Sequence, residues 1–186
     1  MNHPIDITNL VLKTDRLTLR PFRESDLPDF NAYASVDGVG QMDGWLPHKN
    51  MEESRAILDM FMREKKTFAL EHQGKVIGSL GIDLYNEKDY PEFAALTGRE
   101  IGYVLSKAYW GQGLMPEAVT AVIQYLFDFE NLDFLICGHF ERNARSRRVI
   151  EKCGFRYIRT VRFLTEYGTE DLSMEYILWN PHHNKP

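Results

Sequence analysis

Tyr109-Trp110-Gly111-Gln112-Gly113-Leu114-Met115-Pro116-Glu117-Ala118 joins a strand-like run to a helix-like run through closely spaced glycines. Upstream, Glu100-Ile101-Gly102-Tyr103-Val104-Leu105 has the apolar, partly β-branched and aromatic character of a half-buried strand. Downstream, Glu117 to Asn131 carries Ala118, Val119, Val122, Ile123, Leu126, Phe127 and Phe129, a spacing that predicts a wide apolar helix face. Pro116 falls in the first turn, where a missing N–H costs nothing. Gly111 and Gly113 let the chain turn tightly and let a ligand reach the backbone without meeting a Cβ. The first N–H groups of the helix, at the positive end of its dipole, then make a site for a phosphate or pyrophosphate. An ordinary glycine turn would look the same in isolation. No Gly-Lys-Ser/Thr follows, and no Gly-x-Gly-x-x-Gly is present.

A second segment changes the odds: Asn143-Ala144-Arg145-Ser146-Arg147-Arg148-Val149-Ile150-Glu151-Lys152-Cys153-Gly154-Phe155. Asn143 would cap a helix that ends at Cys153, with Gly154 just beyond it. Together with Glu100-Ile101-Gly102-Tyr103 and the glycine loop, this segment resembles the GNAT superfamily of acetyl-CoA-dependent N-acetyltransferases, and within it the RimJ/RimL-like branch. The opening Leu12-Lys13-Thr14-Asp15-Arg16-Leu17-Thr18-Leu19-Arg20-Pro21-Phe22, followed by Asp26, is similar to that branch's first strand and turn. The resemblance covers roughly residues 12 to 180, read as a single domain with loose ends at 1–11 and 181–186. It implies a mixed α/β (α+β) fold: a mostly antiparallel twisted sheet, flanking helices and a splayed central strand pair.

Composition agrees. At 186 residues, with 44% hydrophobic and 26% charged residues, the chain has the make-up of one soluble domain with a substantial core. A net charge of −5 gives no overall basic surface for nucleic acid; only Arg142, Arg145, Arg147 and Arg148 cluster. Cys137 and Cys153 lack metal-site spacing and read as thiols in a reducing compartment. The start has no signal-peptide pattern and no apolar run approaches about 20 residues, so a cytoplasmic protein without a membrane partner is expected.

The remaining chain reads as a strand over Arg16–Arg20, a helix from Ser25 or Asp26 towards Ser35, a glycine-rich loop over 36–48, a helix from Met51 to Lys65 and a hairpin about His72-Gln73-Gly74-Lys75. Trp45 in the loop is either simple packing or a wall of the substrate site. Tyr85 to Arg99, with Glu87, Asp89 and Glu92, is either a solvated acidic insertion or a lip that attracts a cationic amine. Phe134–His139 reads as a buried strand, Phe155–Arg159 and Leu172–Leu178 as a closing pair, and Trp179–Pro186 as a polar tail.

The resemblance implies attack of a neutral amine on the acetyl thioester through a tetrahedral intermediate, coenzyme A leaving as thiolate. It places the pantetheine arm between Glu100–Leu105 and Phe134–His139, paired with backbone near Val104 and Leu105, and the pyrophosphate on the N–H groups of Gly111, Gln112, Gly113, Leu114 and Met115. Asn143 would sit near the junction with substrate, and the Val104 N–H would face the oxyanion. An α-amine of pKa about 8, or a lysine near ~10.4, must lose a proton to a carboxylate. Glu166, matching a RimL-like glutamate, is the first choice and Glu100 the second. The tyrosine that many members carry is replaced by Ile150, which leaves Ser146 to protonate the leaving thiol. Met115 and Trp110 also depart from the usual motif. The expected partner is a primary amine, a peptide N-terminus or a small cationic amine, with no metal and a homodimer possible. A small-molecule acetyltransferase, or a non-catalytic acyl-CoA-binding module, are the alternatives.

Overall fold

The structure, a computed structural model, describes residues 2–183. The elements run β1 (Leu12–Lys13), β2 (Thr18–Pro21), α1 (Leu27–Ala34), α2 (Met51–Glu64), β3 (Thr67–His72), β4 (Lys75–Asp83), β5 (Gly98–Leu105), α3 (Leu114–Asp128), β6 (Phe134–Phe140), α4 (Ala144–Lys152), β7 (Arg156–Leu164) and β8 (Glu170–Trp179). They build an eight-stranded sheet in the order β1-β2-β3-β4-β5-β6-β8-β7. Its strand pairs are antiparallel except β5 with β6. This is the mixed, mostly antiparallel sheet that the resemblance implied.

Local chemistry sets the element ends. Asn50 caps α2 by accepting from the Glu53 N–H at 2.9 Å, and Lys65 closes the helix in the left-handed region at φ 55°. Gln73 and Gly74, at φ 51° and 77°, make the tight β3–β4 turn. Asp26 is not used as a helix cap. Its buried carboxylate takes two 2.8 Å hydrogen bonds from the half-buried Arg20 guanidinium and one from the Arg23 N–H, tying β2 to the start of α1.

One face of the sheet packs on α3 and α4 through Leu80, Ile101, Ala118, Val122, Leu126 and Ile150. The other carries α1 and α2 through Phe30, Tyr33, Leu58 and Ala69. On β5 the alternation is visible residue by residue: Ile101, Tyr103 and Leu105 join the first cluster, Val104 the second. A third cluster lies under the β4–β5 connection, where Tyr85, Tyr90 and Phe93 pack on Phe134 and Trp179.

Several expectations are corrected here. The N-terminal end, expected loose over 1–11, is packed: Ile5 and Ile7 are buried, the latter at 0% exposure, and the Ile7 N–H donates to the Lys65 carbonyl. Asn2 also accepts from the Gly98 N–H and from the Arg99 guanidinium, which bonds the His3 carbonyl as well. At the other end Trp179 finishes β8 and the buried Asn180 donates to the Leu132 carbonyl. Residues 184–186 of the expected loose tail, and Met1, lie outside the described residues. Phe129 is 79% exposed, because α3 starts earlier than its apolar run suggests and ends at Asp128. The β4–β5 connection is no simple solvated insertion, since its aromatics are core. Replacing Ile7 by alanine should therefore cost about 2–5 kcal/mol in urea unfolding; a loss below about 0.5 kcal/mol would mean the leader contributes nothing to the core.

Candidate active site

β5 and β6 pair only over Gly98↔Phe134, Arg99↔Leu135 and Glu100↔Ile136. Beyond that point they separate, while β4 holds β5 up to Leu105 and β8 holds β6 up to Phe140. A cleft of about 460 Å³ fills the divergence, walled by α4 and ending at the start of α3. Val104, Leu105, Gly111, Gly113, Leu114, Met115, Asn143 and Ser146 line it; Gln112, Glu100 and Glu166 do not.

Strand alternation fixes which backbone groups face the opening. The Ser106 N–H donates to the Ile77 carbonyl at 2.7 Å, so in the same register Val104, two residues earlier, turns its N–H and C=O towards β4. The expectation that the Val104 amide points at the reaction centre is thereby corrected; Tyr103 and Leu105 present their N–H groups to the gap instead. The Leu105 carbonyl is taken by the Trp110 indole at 2.8 Å. On β6 the Glu141 N–H bonds Leu172 on β8, which leaves the backbone of Gly138 facing the opening. A Cβ at Gly102 would meet nothing within 4 Å, so that side of β5 is open as well.

The glycine loop is held from one side and free on the other. Gly111 and Gly113 adopt φ 78° and 77°, a region glycine enters without strain. Arg16 donates to the Gln112 carbonyl at 2.9 Å and pairs with Glu117 at 2.7 Å, and Glu117 also accepts from Thr14 and the Arg16 N–H. Among the described residues, the N–H groups of Gly111 to Met115 donate to no protein acceptor. Free donors at a helix start, beside Arg148 and Lys152 on the cleft wall, suit a diphosphate. Trp110, where the motif usually has a polar residue, lies under the Arg145 guanidinium at 4.7 Å.

Midway along the cleft, Asn143 accepts from the Ser146 N–H at 3.1 Å as a helix cap and donates to the Met42 carbonyl at 3.3 Å. The Ser146 hydroxyl sits 2.9 Å from the Tyr103 hydroxyl. Burial first, then the Cys137 side chain, pushes the Tyr103 phenol well above its ordinary range, so it remains a donor. Tyr103 was quoted in the sequence motif without a role; nothing in a single sequence pairs it with Ser146.

Acidic groups gather at the other end. Glu100, opposite Asp83 on β4, has its pKa pushed up to about 7 by burial, then by Glu175, Asp83, Asp43 and Asp89. Its side chain is nonetheless exposed to solvent, among these acidic neighbours. Asp43 lines the cleft and is open to solvent there; the protein crowded around it, then Glu166 and Asp83, raise its pKa to about 6 against the Trp45 indole hydrogen bond at 3.0 Å. Glu166 is exposed on the β7–β8 turn, and its N–H donates to the Gly44 carbonyl at 2.9 Å. Asp43 has no motif around it and was not singled out in the sequence. Trp45 packs on His48 and its indole donates to Asp43, and it is not among the residues that line the cleft.

Fold and cleft together define a GNAT acetyltransferase. The family model described as "Acetyltransferase (GNAT) domain" matches residues 16–156, and the chain belongs to that family; it is an N-acetyltransferase, and acetyl-CoA is the family's acyl donor. It is 29% identical over 167 residues to the uncharacterized N-acetyltransferase YoaA of Bacillus subtilis (strain 168), covering 86% of this chain and 90% of that one. In fold it is similar to a GNAT-family acetyltransferase from Bacillus anthracis (TM-score 0.79, 23% identity, 92% of this chain and 99% of that one). It is also similar to the ribosomal-protein-S5-alanine acetyltransferase from Vibrio fischeri (TM-score 0.70, 18% identity, 95% and 100%). Among the described residues no helix is long and apolar enough to cross a membrane.

Gly111→Ala tests the amide cradle. The added methyl meets no protein atom but must sit at positive φ, a strain of about 1–2 kcal/mol that leaves the fold intact. Acetyl-CoA affinity by calorimetry should fall about tenfold or more; an unchanged Kd would place the diphosphate elsewhere.

Proposed function

We propose that this enzyme acetylates the primary amine of a cationic acceptor, with a polypeptide N-terminal α-amine, as in the RimJ/RimL-like branch, the finer reading. The observation that carries it is a gap lined by unpaired strand backbone, running from a free amide cradle to the Asp43 carboxylate. The Leu12–Phe22 opening and the likeness in fold to an enzyme whose name specifies an alanine of a ribosomal protein support the finer reading.

Acetyl-CoA supplies an activated thioester carbonyl. The amide groups of Gly111 to Met115 would hold its diphosphate, and Tyr103, Leu105 and Gly138 offer donors and acceptors to the amides of its arm. As the new C–N bond forms and the C–S bond breaks, the nitrogen gives up a proton and the sulfur leaves with the electron pair. A base must be ionised near neutral pH and yet able to hold the proton. Glu100, its pKa raised among Glu175, Asp83, Asp43 and Asp89, fits that need. The Ser146 hydroxyl, accepting from Tyr103, can turn its own O–H towards the departing sulfur; a thiol of pKa about 8.5 asks for little more. The N–H of Tyr103 or Leu105 would stabilise the charge that develops on the carbonyl oxygen.

The pH consequences of Glu100 have opposite signs for activity and stability. As base it works when ionised, so kcat/KM should climb through pH about 7. Its folded pKa stands above its ordinary 4.5, so the folded state binds the proton more tightly; this stabilisation is full below 4.5 and is lost as pH rises through about 7. Glu100→Gln should then cut kcat by about 10²-fold or more, while its melting temperature at pH 8 exceeds wild type. Coenzyme A release from a peptide with a free α-amine, compared with its Nα-blocked form, reads the activity. Wild-type turnover in Glu100→Gln, with loss in Glu166→Gln, would move the base to the β7–β8 turn.

A further inference from the structure

The segment between α1 and α2 crosses the mouth of the cleft and is fastened on both sides of it. Its Gly44 carbonyl accepts from Glu166 on the β7–β8 turn at 2.9 Å, its Met42 carbonyl from the Asn143 side chain at 3.3 Å, and its Gln41 carbonyl from Arg142 at 2.9 Å. Arg142 is itself paired with Asp171 at 2.6 Å. These contacts make a strap whose position does not depend on a ligand, and Asp43 sits in the middle of it.

Asp43 is fixed in direction as well as in place. The Trp45 indole donates to its Oδ2 at 3.0 Å, and that ring lies so close to Gly40 that a Cβ there would come within 2.2 Å of it. The ring also packs, tilted, against His48 at 5.2 Å, and His48 is held by Ser54 at 2.8 Å. Oδ1 of Asp43 accepts no hydrogen bond among the described residues. Asp43 is also the one carboxylate among the described residues that line the cleft; the basic side chains that line it, Arg145, Arg148 and Lys152, follow α4 away from the strap.

Charge bookkeeping at this end is uneven. Glu175 and Asp171 have arginine partners at 2.5 and 2.6 Å, and Glu71 and Asp26 share Arg20. Among the described residues neither Asp43 nor Glu100 nor Glu166 has a cationic partner within 4.0 Å. Asp43 is open to solvent and faces the cleft with no counter-ion, so a cationic ligand entering there meets an uncompensated negative charge.

We propose that Asp43 is the acceptor-binding carboxylate: the ammonium of a cationic primary amine docks on Oδ1 beneath the strap and then passes its proton to Glu100. The inference rests on the acetyl-transfer reading above. It adds a residue that selects for positively charged acceptors and separates binding, on the strap, from proton removal, on β5. The docked ammonium loses one proton to the Glu100 carboxylate; the neutral nitrogen then makes the C–N bond as the C–S bond breaks, and its second proton ends on the departing thiolate, which leaves as the thiol of coenzyme A.

Steady-state rates at saturating acetyl-CoA, with spermidine and with a free-α-amine peptide as probes, test this by a KM-against-kcat split. Asp43→Asn should raise KM for the amine about tenfold or more and leave kcat within a few-fold, with the Kd of acetyl-CoA unchanged. Trp45→Phe, which keeps the carboxylate but frees its direction, should raise KM by a smaller factor and serves if Asp43→Asn does not fold. An unchanged amine KM in both variants, or an equal loss of acetyl-CoA affinity, overturns the assignment. No wild-type turnover of any amine would end the acetyl-transfer reading separately. Calorimetric titration of spermidine into the coenzyme A-bound protein would then decide Asp43 alone, with weaker binding in Asp43→Asn expected and equal affinities overturning it.

Discussion

The site depends on a strand pairing that stops. β5 and β6 are in register for Gly98 to Glu100 and then part, leaving backbone groups of Tyr103, Leu105 and Gly138 without strand partners. Each buried group left unpaired would cost about 1–3 kcal/mol, so the gap stays open only because each strand is secured on its other edge. β4 holds β5 from Asp83↔Glu100 to Gly78↔Leu105, and β8 holds β6 along its whole length. The two halves of the sheet are thus self-supporting, and the groups between them are left for a ligand with amides of its own.

α4 gives this opening a direction. Its first turn is tied to the strap through Asn143 and Met42, and its last residues reach the start of α3, where the Cys153 thiol meets the Pro116 carbonyl at 3.8 Å. A helix of nine residues spans about 13 Å. Along that length the character changes from the unpaired carboxylate Asp43 to Arg148, Lys152 and free helix amides. The same separation accounts for the electrostatics of Glu100. It sits among acidic neighbours because the basic groups of the cleft are committed to the far end, and those near it, Arg159 and Arg142, are bound to Glu175 and Asp171.

Much of this was legible in the chain because it is local. Glycines at 111 and 113 before an apolar helix, and an asparagine three residues before Ser146, act within one turn of themselves. The structure finds the positive φ values and the cap where the residues predict them. The order of strands and helices followed from hydrophobic period for the same reason. What misled were readings that need a partner. The Val104 amide was aimed at the reaction centre, yet a period of two has no absolute phase until β4 sets the register. Residues 1–11 read as a loose end because isolated apolar residues such as Ile5 and Ile7 show burial only once the core they fill exists. Phe129 was counted as core because it extends an apolar run, although the helix ends before it.

By itself the sequence determined which segments form strands and helices, where an anion can meet a helix start, and the family to which these motifs belong. Tertiary structure alone decided that Tyr103 lies against Ser146, that Asp43 faces the cleft, and that the carboxylates near it lack partners while others have arginines. The division has a physical reason. Backbone turns, caps and amphipathic faces are settled by neighbours a few residues away, whereas burial and net local charge are sums over everything that folding brings near.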